Sequence, residues 1–176
     1  MHQWAQTPFA VSDVAGTEFT VAVPESGAAP ALAKRYTVGR DGMLEVQYTL
    51  RSGRARLGKL AVEINLGLHV PQADDRFIEV DGQPADPPHF AASARHARME
   101  RVAFVDRWAD RRLDVWVDRK ATLERAPIET VSLSEAGAER VFQGVEVRFG
   151  LAAALEPDRP WQVRFRLAPG RAESPA

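Results

Sequence analysis

Apolar residues recur at every second position over most of this chain. Phe19, Val21 and Val23 alternate with Glu18, Thr20 and Ala22, and Leu44, Val46, Tyr48 and Leu50 with Glu45, Gln47 and Thr49. The pattern returns in Leu60–Leu68, Leu113–Val117, Val145–Phe149 and Trp161–Leu167. Successive side chains on a strand point to opposite faces, so each run has one buried and one wetter face. That marks antiparallel sheets rather than parallel strands covered on both sides. Turn signals separate the runs at Asp41-Gly42, Asp81-Gly82, Trp108–Arg111 and Pro157–Pro160. Asp-Gly supplies the positive φ of a tight hairpin. Roughly ten strands at this spacing predict an all-β, antiparallel two-layer β-sandwich.

One segment departs from the pattern. Ala91–Arg101 is rich in helix formers, which propensity alone would make a helix. Its apolar positions are mostly alanine, a poor anchor for a helix on a core. It reads as a connection or an irregular strand, with a short helix as the alternative. Residues 1–15 and 169–176 read as loose segments flanking a single domain over residues 16–168, in which no repeat and no second composition regime stands out.

Composition narrows the function. The chain has 176 residues and 45% hydrophobic content, enough for a core without disulfides or a structural metal. It has no cysteine, which removes thiol catalysis, iron–sulfur clusters and cysteine-based zinc sites. Lysine and arginine number 23 against 24 aspartates and glutamates, without the basic surplus of a nucleic-acid binder. No apolar run approaches the ~18 residues of a membrane helix. Residues 1–10 lack the basic and apolar regions of a signal peptide. The expectation is a cytoplasmic protein with no nucleic-acid or membrane partner.

No GxSxG elbow, glycine-rich phosphate loop or HExxH motif is present, so nucleophilic and phosphoryl chemistry lack local support. His2, His69, His89 and His96 show no metal-motif spacing, and structural or solvated roles fit them better. Asp74-Asp75 lacks the alternating oxygens of a calcium loop. No metal and no cofactor is called for. Trp116 stands on the polar face of its strand between Asp114 and Asp118. An aromatic among carboxylates can stack on a sugar ring while the acids bond hydroxyls; the alternative is that another layer or a partner covers it. The densest polar cluster is Pro127–Gly144, PIETVSLSEAGAERVFQG. Alternation puts Ile128, Thr130 and Ser132 on one face and Glu129, Val131 and Leu133 on the other. A carboxylate on that mainly apolar face must find donors or shift its pKa. Ser134–Gly137 then turns the chain.

The Pro127–Gly144 block resembles the signature of the C-terminal β-sandwich domain of glycoside hydrolase family 57 4-α-glucanotransferases and α-amylases. LAKRYTVGRDGMLEVQYTL, LAVEINLGL and WQVRFRL are similar to other strands of that domain, in the same order. The likeness runs from about Gly16 to Leu167. It departs at Ala138, where the family pattern has an aromatic, and at Phe142, in place of a tyrosine.

The resemblance implies a sandwich similar to the galactose-mutarotase-like supersandwich. In the family, the catalytic carboxylates belong to an N-terminal barrel. Nothing here alternates strand and helix as a barrel does, and a barrel of roughly 250 residues does not fit this length. The implied role is an accessory domain, not an enzyme on its own, binding α-glucan or maltooligosaccharide, docking a separate family 57 catalytic barrel, or both. The residues the resemblance puts forward are Glu129, Ser132, Ser134, Glu135 and Gln143, hydrogen-bonding sugar hydroxyls or a partner's backbone, with Trp116 as a possible platform. Two alternatives stand beside it. One is a small mutarotase or epimerase in which His69 or His96 works with Glu63 or Glu129. The other is a truncated fragment with no function of its own.

Overall fold

A computed structural model describes residues 7–27, 29–134 and 137–172. These residues form eleven strands and no helix. The strands are β1 (Ala10–Ala15), β2 (Glu18–Val23), β3 (Ala31–Val38), β4 (Leu44–Arg51), β5 (Arg56–Leu66), β6 (Arg76–Val80), β7 (Gln83–Pro84), β8 (Ala94–Asp106), β9 (Arg111–Ser134), β10 (Gly137–Leu155) and β11 (Trp161–Gly170). The pairs β1–β2, β2–β3, β3–β4, β4–β11, β6–β7, β6–β8 and β9–β10 are antiparallel. No helix is long and apolar enough to cross a membrane among the described residues.

The chain divides into two compact units, each assembled from three separate stretches. The first holds the described residues of Met1–Lys59, with Trp116–Arg119 and Ala152–Ala168. Its strands follow the order β1-β2-β3-β4-β11. Phe19 is registered with Tyr36, Tyr36 with Val46, and Val46 with Phe165. Val23, Leu32, Leu50 and Trp161 make a second such row. Cross-strand partners share a face, and Val23, Leu32, Val46, Leu50, Trp161 and Phe165 are all buried. On the opposite face Glu45 takes both Arg164 (3.2 Å) and Arg166 (3.1 Å). The period-two reading of β4 and β11 is thus what the burial shows.

The second unit holds Leu60–Val115, Lys120–Leu151 and the described residues of Pro169–Ala176. Here β8 pairs with β6 and β9, and β10 pairs with β9 and β5. Ile78, Phe90, Met99, Val102, Val115, Leu123, Val145, Val147 and Phe149 form its buried interior. Burying each such side chain stabilises by roughly 1.5–3 kcal/mol relative to exposure. Arg125 lies among them, and its guanidinium donates to backbone carbonyls of the 87–92 segment.

One expectation about local structure is decided and two change. Ala91–Arg101 enters strand β8 at Ala94, with Arg98 at φ 62° breaking its regularity; the irregular-strand reading holds and the helix alternative does not. The N-terminal segment expected to be loose carries β1, registered with β2 at Ala10↔Ala22, Val11↔Val21 and Ser12↔Thr20. Every β1 residue is exposed, so no burial period marked it in the sequence. The C-terminal segment continues β11 to Gly170. Beyond it, Ala172 packs against Ala103 and Val105, and Arg171 hydrogen-bonds Asp110 (2.6 Å).

Candidate functional site

The block from Pro127 to Gly144 is an antiparallel arm of β9 and β10, registered from Gly137↔Ser134 through Phe142↔Glu129. A register shift between Phe142 and Gly144 makes Gln143 the extra residue of a bulge. Partner identity puts Glu129, Val131 and Leu133 on one face with Phe142, Arg140 and Ala138. Glu129 does find its donor there: Arg140 Nη1 lies 3.1 Å from its carboxylate. The exposed Gln143 donates from Nε2 to Thr130 Oγ1 (3.3 Å) on the opposite face. Ser132 is exposed on that face. Ser134 ends β9, and Glu135 lies outside the described residues. The arm therefore brings Glu129, Ser132 and Gln143 onto one element but divides them between two faces. The arm also exposes apolar side chains, with Val131 at 64% and Leu133 at 87% exposure.

Trp116 does not join them; it belongs to the other compact unit. It is half-buried, and the carboxylates flanking it in sequence are both engaged. Asp114 is 8% exposed and is held by Arg101 (2.8 Å) and Arg112 (2.9 Å). Arg112 in turn bonds Glu79 at 2.5 Å. Asp118 accepts the Arg164 backbone N–H at 2.9 Å. Both acids thus have partners within the fold: Arg101 on β8 and Arg112 on β9 itself for Asp114, and the Arg164 amide on β11 for Asp118.

No histidine hydrogen-bonds a carboxylate among the described residues, and no three His, Asp or Glu side chains group as a metal site there. His2 lies outside the described residues. Burial, and next the Arg125 cation, hold the His96 imidazole below its ordinary pKa, against an upward pull from Asp86. The native state then binds fewer protons at His96 than the unfolded chain does. This contribution is fully present above about pH 6.5, the unfolded value, and is lost as pH falls through it. His96→Leu is expected to lessen the fall in melting temperature between about pH 7.5 and about pH 5.5. An unchanged fall, read by calorimetry beside the parent protein, would count against it.

A different place has the shape of a binding site. A cleft of about 950 Å³ opens in the second unit. Its floor is apolar, built from Leu66, Leu68, Phe90 and Phe104, and its polar rim includes His69, Arg76, Asp106 and Arg111. Trp108 stands at the rim with 77% exposure, in the turn between β8 and β9. That turn is fixed by Asp106, whose Oδ1 accepts the Ala109 N–H (2.9 Å) and Arg76 Nε (3.2 Å). The Arg76 guanidinium lies over the indole, 5.1 Å from its centroid. The sequence marked this turn but not the site. The legible signal was a tryptophan inside a tight turn, where it has no core to face.

The family model described as α-amylase/4-α-glucanotransferase, C-terminal, matches residues 3–165. Among curated proteins no sequence matches. The 4-α-glucanotransferase of Thermococcus litoralis superposes with a TM-score of 0.65 and 16% identity, covering 92% of this chain and 22% of that one. This chain thus spans about a fifth of that protein. A putative aldose 1-epimerase of Escherichia coli K12 gives 0.67 at 8% identity, covering 93% and 68% of the two chains. A galactose mutarotase related enzyme of Lactobacillus acidophilus gives 0.67 at 9%, covering 99% and 76%. At these identities the structures show a shared fold, and that fold is the mutarotase-like one the resemblance implied. The match over residues 3–165 carries more: this chain belongs to the family of α-amylase/4-α-glucanotransferase C-terminal domains.

Proposed function

We propose that the chain is an accessory domain in α-glucan metabolism, working in the cytoplasm beside a catalytic barrel of the glycoside hydrolase family 57 type. It binds α-glucan and docks the barrel through the β9–β10 arm. The observation that carries docking is the exposed apolar tip of that arm, where Val131 and Leu133 stand in solvent beside Ala138, flanked on the same face by the Glu129–Arg140 ion pair. Burying such a face on a partner is favourable, and contiguous exposed apolar surface marks interaction sites. The match of residues 3–165 to a C-terminal domain model of α-amylases and 4-α-glucanotransferases supports the accessory role.

The mutarotase alternative has less behind it. His69 and Asp106 line one cleft, but no hydrogen bond joins them among the described residues, and proton transfer needs a base within such reach of its proton. The test of the accessory role is to mix this protein with a separately expressed family 57 barrel and follow co-elution, with maltoheptaose titrated in a parallel calorimetric experiment. We expect co-elution that Val131→Asp and Leu133→Asp abolish without lowering the melting temperature. Separate elution together with a flat maltoheptaose titration would overturn the reading.

A further inference from the structure

We propose that the cleft of the second unit binds an amphiphilic carboxylate, a small molecule with one acid group on an alkyl or aryl body. The site stands on its own geometry and does not depend on the accessory role proposed above.

One wall of the cleft is a single face of the strands that meet at the 107–110 turn. Alternate residues of a strand share a face, and Phe104 and Asp106 of β8 and Arg111 and Leu113 of β9 all line the cleft. Arg76 of β6 is registered with Asp106 and extends that face. The charged residues stand at the turn end. The apolar ones lie two residues further in, about 7 Å along each strand. Phe90, at 1% exposure, and the buried Phe104 lie deepest, with Leu66 and Leu68 beside them. A ligand anchored at Arg111 reaches this floor along one wall, past Leu113.

The charge on that wall is not fully matched. Arg76 is held by Asp106 at 3.2 Å, and Arg112 by Glu79 and Asp114. Arg111 is exposed and has no acid paired with it among the described residues. Its chain neighbour Asp110 is taken by Arg171. One guanidinium is thus left for a ligand, and its planar fork matches the two oxygens of a carboxylate. A single free cation suits a monoanion; a phosphate monoester carries about 1.5 to 2 negative charges at neutral pH. The floor asks for hydrocarbon. A hydroxylated body would leave its hydroxyls against Phe90 and Phe104 without partners.

The test is calorimetric titration of the whole protein with octanoate, octanamide, acetate, phenylpropanoate and octyl phosphate. We expect octanoate to bind about tenfold or more tightly than octanamide, which lacks the charge, and than acetate, which cannot reach the floor. Arg111→Gln, at an exposed position that leaves the fold intact, should weaken octanoate about tenfold and leave octanamide unchanged. Octanoate binding that Arg111→Gln does not weaken overturns the site, as does a flat titration with both octanoate and phenylpropanoate. Octanamide binding as tightly as octanoate overturns the charge reading, and acetate doing so overturns the apolar floor. Tighter binding of octyl phosphate than of octanoate overturns the monoanion. Whichever of octanoate and phenylpropanoate binds more tightly supports the site and assigns the body as alkyl or aryl.

Discussion

Arg125→Ala is expected to lower the stability of this protein by about 4 kcal/mol, through buried polar groups left unpaired. Arg125 is 3% exposed. Its Nη1 donates to the His89 carbonyl at 2.9 Å and to the Ala92 carbonyl at 2.8 Å, and Nη2 donates to the Pro87 carbonyl. One side chain on β9 therefore satisfies three main-chain acceptors of a segment that has no ladder of its own. Truncation strands the Pro87 and Ala92 carbonyls, leaves the His89 carbonyl with only the Ala92 N–H (3.2 Å), and opens a cavity. Each unsatisfied buried group costs about 1–3 kcal/mol, reduced wherever water enters. Burial already pushes the Arg125 pKa down, so the site holds a cation against its desolvation for the sake of those bonds. Lysine carries its charge at a point and cannot span the three acceptors as a planar fork does; Arg125→Lys should recover less than half the loss. At this chain length a melting temperature lower by about 8–16 °C follows for the alanine variant. His96 gives a second readout, because removing the cation beside it should raise its pKa in a proton NMR titration. A melting temperature within about 2 °C of the parent would refute the role.

The second large effect belongs to Gly144. A Cβ at this position would collide with the Leu66 carbonyl oxygen and come within 3.2 Å of Gly67 Cα. Both obstacles are main chain, on and just after strand β5, which pairs with β10. Neither can rotate aside as a side-chain tip would. Gly144→Ala should cost about 3 kcal/mol or more, at the upper end of overpacking, by prising β5 from β10 or shifting the bulge at Gln143. Gly82→Ala makes the useful contrast. Gly82 sits at φ 82° with open space around its Cα, so alanine there meets backbone strain of about 1 kcal/mol and no clash. Urea denaturation should rank the two variants clearly. Equal midpoints would show that β5 and β10 are less closely seated than described.

The strands were legible where one face is buried. The rows through Val46 and Phe165 gave period-two signals because burial alternates there. Strand β1 gave none because nothing covers it. Glu129 could be placed on its face from alternation, and even its partner could be inferred, since a turn at Ser134–Gly137 sets Arg140 two pairs from Phe142. The carboxylates around Trp116 show the opposite case: Arg101 and the Arg164 amide reach them from paired strands, which sequence proximity does not reveal, while Arg112 lies two residues from Asp114 on β9 itself. The cleft was the hardest to see. Its walls come from the segment after β5, the start of β6, the turn after β8 and the end of β11, and no local motif joins four such places.

The discontinuity of the two compact units has a consequence for synthesis. The first unit needs Ala152–Ala168 to return to the strands before Lys59. Strands β1–β4 leave the ribosome with β4 lacking its β11 neighbour and must wait for roughly 110 more residues. At ordinary translation rates the wait is roughly 5–20 s. Through that interval a nascent four-stranded sheet carries an open edge, the kind that recruits other strands. Expression yield should therefore depend on elongation speed between residues 59 and 152 more than on the stability of the finished protein.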